Sequence, residues 1–415
     1  MRGFSVPTLA GGVVAVASLA YFTAASRWLG DEALSLFVVA MAEVAVLQAL
    51  LIPRTWLHVI AGTGSLGCRL SQSVVLELVG GVTGLLVLLA YVSLRDFESN
   101  AIALRLVVYV SLWVPSLTSA TGFYRASHRW LSYFFWIAGS ALLRFPALVW
   151  WNANQQAWTG SNATDSVLSM VVVTYLLPEM LRLVLGYLPL LPRHWQSTTI
   201  PALRNALKLI SSNWRFDFLS ALTESLDKVI VGLLFSPAVL VCYFFARRIA
   251  GVIPMVIEPY FAHVYQRQAE TSNQFPGSHF WRQHYFRGLA ISATLALLSC
   301  ALILVLVDWT GARAAIPEAV TQQLGLFCAV LAIDAVMCAN KWYRYMSQRT
   351  GASALFAMRT VSFCAFVLVA TLPIGPPFGG TPVPAMLISL IIDVAALVYL
   401  FSLMRPAPAL HCHNP

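Results

Sequence analysis

The sequence is built from repeated apolar runs of about twenty residues, separated by short polar stretches. A helix that crosses the hydrocarbon core of a bilayer, roughly 30 Å thick, needs about 20 mostly apolar residues. Only 10% of the 415 residues are charged and 59% are hydrophobic, whereas soluble domains contain about 25% charged residues. We therefore predict an all-α polytopic membrane protein without a soluble domain large enough to hold an active site.

The apolar runs predict about twelve transmembrane helices. The windows lie at residues 8–26, 33–53, 74–94, 102–122, 131–151, 166–189, 208–235, 238–265, 286–307, 320–343, 351–373 and 383–404. A polar, basic stretch after the sixth window divides them six and six, as in transporters that arose from a repeat. This gives an N-terminal six-helix lobe at 1–190, a cytoplasmic linker at 191–207, a C-terminal six-helix lobe at 208–404 and a cytoplasmic tail at 405–415.

The distribution of basic residues predicts the orientation. With both termini in the cytoplasm, the inner segments contain fifteen of the 26 Lys and Arg residues and the outer loops contain four. Cytoplasmic loops of membrane proteins carry such an excess, so we predict a bacterial inner membrane protein with both termini cytoplasmic. Anionic lipid headgroups on that side also account for the net charge of +9.

Charged residues inside the predicted spans indicate a polar interior, because each costs about 2.5–3.5 kcal/mol at the centre of a span on insertion scales. The basic ones are Arg144, Arg182, Arg215, Lys228, Arg247, Arg248 and Arg359. The acidic ones are Glu43, Glu77, Glu179, Asp217, Glu224, Asp227, Glu258, Asp334 and Asp393.

The seventh span contains the most informative pattern. Asp217, Glu224 and Lys228 follow helical spacings and share one face. Asp227 lies beside Lys228 and is placed to support it, while Arg247 and Arg248 lie on the next span. The alternative interpretation is a set of ion pairs that only hold helices together, as Glu179 and Arg182 one turn apart also suggest.

The sequence contains none of the common motifs for ATP hydrolysis or hydrolytic catalysis. We find no Gly-rich phosphate loop, no HExxH and no nucleophile elbow. The seven cysteines are scattered, without a metal-binding spacing. We therefore expect no cofactor, no metal site, no nucleic-acid partner and no catalytic residues, and we expect transport to draw on an ion gradient, the substrate gradient or the membrane potential.

Two short motifs resemble those of a known family. Arg27-Trp28-Leu29-Gly30 resembles the R-x-L-G signature that ends the first helix of polysaccharide flippases. Asp227-Lys228-Val229-Ile230-Val231-Gly232 resembles the D-x-x-x-(I/V)-G pattern that opens the second lobe of Wzx-type lipid-linked oligosaccharide flippases, relatives of the MATE exporters. The chain departs from the family where Ser35 and Val241-Cys242 replace usual glycine positions.

This resemblance implies a MATE/flippase-like fold and a specific activity. Such proteins move polyprenyl-pyrophosphate-linked oligosaccharide units across the inner membrane by alternating access, for exopolysaccharide, capsule or O-antigen synthesis, beside a polysaccharide polymerase and chain-length machinery. Lys228, Arg247 and Arg248 are then the first candidates for contacts to the diphosphate headgroup, with Arg144 and Arg182 after them. The acids assigned to ion coupling, or to orienting those cations, are Asp217, Asp227 and Glu224.

Other classes of membrane protein remain as alternatives. A MATE-like, cation-coupled exporter of small molecules shares the architecture, but for cationic drugs it favours acids in its binding cavity. A membrane glycosyltransferase, polymerase or ligase usually carries catalytic residues on a large outer loop, and no outer loop here is much longer than about fifteen residues. A non-transporting scaffold does not explain the number of charges inside the spans.

Overall fold

A computed structural model describes residues 2–61, 64–95, 97–155, 162–253, 278–308, 316–340, 352–371 and 381–403. Throughout these ranges the regular structure is helical. In this described part of the chain, six helical stretches are long and apolar enough to cross a membrane: Leu9–Leu51, Leu66–Leu94, Ser99–Ala126, Trp130–Ala153, Ala163–His194 and Gln283–Val307.

The first half of the chain forms long helices separated by short breaks. They are α1 (Arg2–Leu51), α2 (Trp56–Ala61), α3 (Leu66–Leu94), α4 (Ser99–Ser116), α5 (Thr118–Ala126), α6 (Trp130–Ala153), α7 (Ala163–Val171), α8 (Leu177–Arg182) and α9 (Leu190–His194). Two π-helical turns, Val172–Leu176 and Leu183–Tyr187, flank α8.

The second half contributes α10 (Ile200–Leu234), α11 (Pro237–Ala250), α12 (Ser278–Asp308), α13 (Glu318–Gln322), α14 (Leu324–Asn340), α15 (Ala352–Thr371) and α16 (Val383–Leu403). Shorter apolar helical stretches lie at Leu324–Met337, Thr360–Thr371 and Val383–Ala395.

The first two predicted spans are joined in α1, which breaks at Gly30. This residue has φ 79° and ψ 170°, a conformation that L side chains rarely adopt. Glycine reaches this region without a steric penalty. The last residue of the R-x-L-G motif is therefore the point at which the direction of the chain changes, and Arg27, three residues earlier, is exposed.

The chain divides into two compact units, each described here by itself. The first comprises Met1–Phe244 and Ala315–Gln322, and the second comprises Phe245–Ala314 and Gln323–Pro415. In the first unit α10 packs against α1. In the second unit α12 packs on α14, and α16 packs on α14 and α15. The division into lobes at 191–207 stays a prediction.

The stretch predicted as a linker is mostly helical. Only residues 195–199 lie outside helices, between α9 and α10, and α10 begins with Pro201 in its first turn, where the missing N–H of proline costs nothing. The backbone N–H of Gln196 donates to Ser71 Oγ at 2.9 Å. Ser65 Oγ donates to Gln196 Oε1 at 2.6 Å, so side chains of α3 and its N-cap hold this segment.

Aromatic rings and glycines pack the first unit tightly. Tyr21, Phe22 and Phe37 of α1 are buried, and the Phe22 and Phe244 rings meet edge to face at 4.7 Å. On α3 the surfaces of Gly81 and Gly84 lie directly against Trp113 and Tyr109 of α4. The absence of a Cβ at these two positions therefore permits the close packing of α3 on α4.

Candidate functional site

The first unit contains a buried cluster of three charged side chains, Arg144, Glu179 and Arg182. Arg144 Nη2 of α6 lies 2.6 Å from Glu179 Oε1, and Arg182 Nη1 lies 3.2 Å from Glu179 Oε2. The Glu179 side chain is 0% exposed, and the Arg144 and Arg182 side chains are 13% and 8% exposed. Two arginines, 38 positions apart in sequence, therefore share one carboxylate.

The local helix geometry explains how Glu179 and Arg182 come to lie on one side of the segment. They are three residues apart on α8, where side chains are neighbours. π-Helical turns on both sides of α8 add residues to the normal repeat and often occur at functional sites. Pro178, which lacks an N–H, follows the first of these turns.

Both guanidinium groups also lie over aromatic rings. The Cζ atom of Arg144 is 4.0 Å from the centroid of the Tyr175 ring. The Cζ atom of Arg182 is 4.1 Å from the centroid of the Trp136 ring. Cation–π contacts contribute about 2 kcal/mol or more each when desolvated, so the rings orient and partly stabilise the buried cations.

The cluster has more positive than negative charge. Two guanidinium groups face one carboxylate, which leaves a formal charge of +1 among these three residues. The Nε atoms of Arg144 and Arg182 are buried without a hydrogen-bond partner in the described part of the chain. Since an uncompensated buried charge costs several kcal/mol, the cluster is suited to receive an anion.

Lys228 lies beside an acid that is itself fixed by a tyrosine. Lys228 Nζ is 3.4 Å from Asp227 Oδ1. The Tyr243 hydroxyl of α11 donates to Asp227 Oδ2 at 2.6 Å, and Asp227 is 3% exposed. The predicted support of Lys228 by Asp227 is thus present, and this cation is paired with an acid of its own.

In the second unit Arg247 of α11 forms an ion pair with Asp334 of α14. The Asp334 side chain is 6% exposed and that of Arg247 is 20% exposed. Arg248 follows Arg247 on the same helix and is partly buried. Because Asp334 is 87 positions away from Arg247, no local sequence pattern predicts this pair.

Asp217 and Glu224 lie on α10, as predicted. Their side chains are outside the described residues, as is that of Arg215. The shared face of Asp217, Glu224 and Lys228, and the coupling role of these acids, stay predictions.

One buried acid was not assigned a role from the sequence. Glu77 of α3 is 0% exposed. Its Oε1 accepts hydrogen bonds from Thr55 Oγ1 at 2.5 Å, Thr118 Oγ1 at 3.0 Å and the Ser119 backbone N–H at 2.8 Å. Its Oε2 accepts from Ser119 Oγ at 2.6 Å. The sequence indicates only an acid in an apolar run, because the partners come from two other segments.

The described residues contain no group of three or more His, Cys, Asp or Glu side chains placed to hold a metal ion.

Comparison with known proteins shows the fold. No protein family and no curated protein matches this sequence. Among solved structures, the eukaryotic MATE transporter AtDTX14 is similar with a TM-score of 0.54 and 13% identity over 97% of this chain and 96% of that one.

Two further structures give the same result. A MATE in complex with MaL6 is similar with a TM-score of 0.55 and 13% identity, over 97% of this chain and 99% of that chain. The inward-facing conformation of a multidrug resistance MATE family transporter of the MOP superfamily has a TM-score of 0.55 and 11% identity, over 97% and 95% of the two chains. The predicted fold class, an all-α polytopic protein of about twelve helices in two lobes, is confirmed: the chain has the fold of MATE transporters of the MOP superfamily.

Proposed function

We propose that this protein is a flippase that moves polyprenyl-pyrophosphate-linked oligosaccharide units across the bacterial inner membrane. The observation that supports this proposal is the buried Arg144–Glu179–Arg182 cluster, in which two arginines share a single carboxylate. The MATE fold supports transport by alternating access, and the sign of the buried charge supports an anionic substrate.

A diphosphate headgroup matches this cluster chemically. Arginine presents planar N–H donors that fit two phosphate oxygens at once. Each of the two guanidinium groups keeps a buried Nε without a partner in the described part of the chain, in addition to its contact with Glu179. Binding of a phosphate oxygen there would satisfy these donors and offset the excess charge.

The cations of α10 and α11 have a different electrostatic environment. Lys228 has Asp227 beside it, and Arg247 is paired with Asp334. Each of these pairs is formally neutral. We therefore propose Arg144 and Arg182 as the primary headgroup contacts, and keep Lys228, Arg247 and Arg248 as secondary candidates.

A MATE-like, cation-coupled exporter of small molecules remains the second candidate, because it has the same fold. Asp227 and Asp334 are buried acids that such an exporter could use. For a cationic drug, however, a site with an excess guanidinium charge is repulsive. The same charge attracts a diphosphate.

The proposed activity requires no catalytic residue, since the lipid-linked sugar crosses the membrane without a covalent change. Its setting would be the inner membrane, with both termini in the cytoplasm, where it would exchange substrate with the enzymes that assemble and polymerise the repeat unit. Anionic lipids would contact the basic cytoplasmic segments.

Flipping in proteoliposomes tests the proposal. The substrate is a fluorescent polyprenyl-pyrophosphate oligosaccharide, whose exposure in the outer leaflet is measured by quenching. We compare the wild type with Arg182→Gln, Arg144→Gln, Lys228→Ala and Arg247→Ala. Arg105→Gln is the matched control, because Arg105 forms a partly buried ion pair with Glu43 at 2.7 Å elsewhere in the first unit.

We expect the wild type and Arg105→Gln to flip the lipid, and Arg182→Gln and Arg144→Gln to lose at least about tenfold in rate, the effect of removing one charged hydrogen bond. A wild type that moves no lipid-linked sugar but exports a cationic dye along an ion gradient would establish the exporter instead. Equal rates in the wild type and the two cluster variants would refute the headgroup site.

A further inference from the structure

Glu77 is a buried acid for which the described residues provide no counter-ion. Its carboxylate accepts four hydrogen bonds, from Thr55, Thr118 and twice from Ser119, and no Lys, Arg or His forms an ion pair with it in the described part of the chain. Glu179, which is also 0% exposed, is by contrast held by two arginines. A carboxylate inside a membrane segment without a cation is costly and marks a functional site by default.

We propose that Glu77 is a proton-binding site of the first unit and that its protonation is transmitted to the Arg144–Glu179–Arg182 cluster. Only the second step, transmission of the protonation to the arginine cluster, rests on the proposed function.

The two carboxylate oxygens of Glu77 have different environments. Oε1 accepts from the Ser119 backbone N–H at 2.8 Å and from the Thr55 and Thr118 hydroxyls. The backbone N–H of Thr55 in turn donates to Thr118 Oγ1 at 2.9 Å. The Thr118 hydroxyl therefore accepts from Thr55 and donates its own hydrogen to Glu77. Oε1 is therefore fully occupied by donors.

Oε2 is the oxygen that can take a proton. Its partner is Ser119 Oγ at 2.6 Å, a hydroxyl that can accept as well as donate. A proton from water adds to Oε2, the carboxylate becomes a neutral carboxylic acid, and the new O–H donates to Ser119 Oγ.

Protonation reverses a short hydrogen-bond chain. Ser119 Oγ lies 3.2 Å from the Tyr187 hydroxyl. When Glu77 is ionised, Tyr187 donates to Ser119 and Ser119 donates to Glu77. When Glu77 is protonated, Ser119 accepts from the acid and donates to Tyr187.

Tyr187 connects this chain to the arginine cluster. Its ring stacks on Trp136 with a centroid distance of 5.9 Å and an interplanar angle of 27°. The guanidinium group of Arg182 also lies over the Trp136 ring, 4.1 Å from its centroid. Tyr187 also ends the π-helical turn that follows Arg182 in sequence.

Among the described residues, few titratable groups lie around Glu77. Tyr187 faces it from the π-helical turn, and Tyr109 of α4 donates to the carbonyl of Gly81 one turn further along α3. His58 of α2 contacts Gln72, more than one turn earlier on α3. None of these described groups is a fixed cation, which leaves a proton as the group that neutralises Glu77 in the proposal.

Infrared difference spectroscopy of the reconstituted protein tests the proton site without any lipid-linked substrate. Spectra at acidic and neutral pH are compared for the wild type, Glu77→Gln and the control Glu43→Gln, which removes an acid that is already paired with Arg105. We expect the carbonyl band of a protonated, buried carboxylic acid in the wild type and the control, and its loss in Glu77→Gln. A spectrum of folded Glu77→Gln identical to the wild type overturns the proposal.

Ser119→Ala provides the second variant if Glu77→Gln does not fold. Removing the hydroxyl that the protonated Oε2 would contact is expected to move the carboxylic-acid band to higher frequency, and an unmoved band overturns the assignment to Glu77. The spectra are repeated with choline in place of sodium. Suppression of the band by sodium would show a cation site rather than a proton site.

Binding of inorganic pyrophosphate, measured by calorimetry at two pH values, tests the transmission step. Protonation removes the negative charge of Glu77 and so favours binding of an anion nearby. On acidification, the affinity for pyrophosphate should therefore rise about fivefold more in the wild type than in Glu77→Gln, which corresponds to a modest coupling between the two sites. Equal pH dependence in both proteins overturns the coupling. A wild type that binds no pyrophosphate counts against the proposed function, while the infrared band still decides the proton site.

Discussion

The hydroxyl of Tyr243 donates a 2.6 Å hydrogen bond to the carboxylate of Asp227, across the turn between α10 and α11. Asp227 in turn accepts from the backbone N–H of Lys228 at 2.7 Å and lies 3.4 Å from its ammonium group. The tyrosine therefore fixes the acid that positions Lys228. The sequence motif contains Asp227 and Lys228 but does not predict that Tyr243 is their partner.

Tyr243→Phe removes this donor and leaves the ring in place. Because the lost hydrogen bond involves a charged acceptor, we expect the free energy of unfolding to fall by about 1.5–3 kcal/mol. Tyr124→Phe is the control, since the Tyr124 hydroxyl donates to the neutral carbonyl of Gly186 at 2.6 Å, for an expected loss of about 0.5–1.5 kcal/mol. Denaturation in detergent measures both, and a larger loss for Tyr124→Phe would contradict this account.

The arginine cluster predicts that stability and transport respond differently to two substitutions. Arg182→Gln leaves the neutral pair Arg144–Glu179, whereas Glu179→Gln leaves two arginines without their shared acid. Removing one partner of a buried ion pair costs about 3–5 kcal/mol because an uncompensated charge remains. We therefore expect Glu179→Gln to have a lower free energy of unfolding than Arg182→Gln. We expect Arg182→Gln to be impaired in flipping although it is the more stable of these two variants.

Thermal unfolding and flipping of the same preparations measure these two effects. Added pyrophosphate should raise the midpoint of Glu179→Gln more than that of Arg182→Gln, since it replaces the missing negative charge. If Arg182→Gln is less stable than Glu179→Gln, the excess positive charge of the cluster does not determine the stability of these variants.

Features set by residues close together in the sequence could be predicted, whereas contacts between residues far apart in the sequence could not. Apolar runs of about twenty residues specify membrane helices locally, so the helical class and most spans were predictable. Gly30 was identified by a motif, and its positive φ explains why glycine stands there. The merging of two spans into α1 was missed because a single kinked residue leaves helical hydrogen bonding continuous on both sides.

The charged pairs show where local reasoning ends. Glu179 with Arg182 was predictable from a spacing of three residues, but the contact of Arg144 with Glu179 joins positions 35 apart. Arg247 with Asp334, and Glu77 with Thr55 and Ser119, likewise come together only through tertiary packing. No periodicity in one sequence encodes such pairs, so their charge balance became visible only in the folded chain.

His58 predicts a pH dependence of stability outside the membrane spans. Burial lowers the pKa of its imidazole below the usual 6.5, Arg69 lowers it further, and a hydrogen bond with Gln72 opposes this shift. The unfolded chain therefore binds the proton at a higher pH than the folded chain does. This contribution to stability is complete above about pH 6.5 and is lost as the pH falls through the lower, folded-state pKa.

His58→Gln should flatten the decline in stability as the pH falls below about 6.5, because it removes the titrating group. His128→Asn is the control, since His128 is exposed and has φ 55°, a conformation that asparagine tolerates. Denaturation midpoints across this pH range measure the effect. A slope that stays unchanged in His58→Gln would assign the acid sensitivity to another group.

The close contact of α3 with α4 makes a last prediction. A Cβ at Gly81 would collide with the Trp113 ring, whereas a Cβ at Gly139 of α6 would have no atom within 4 Å. Overpacking costs about 1–3 kcal/mol, so Gly81→Ala should lower the free energy of unfolding by that amount. Gly139→Ala should leave it unchanged or raise it by up to about 1 kcal/mol, since alanine restricts the unfolded chain and has the higher helix propensity. Unfolding of the two variants in the same detergent compares identical chemical changes in a filled and an open environment. Equal destabilisation by both would mean that the backbone of these helices, and not the fit between α3 and α4, responds to the added methyl group.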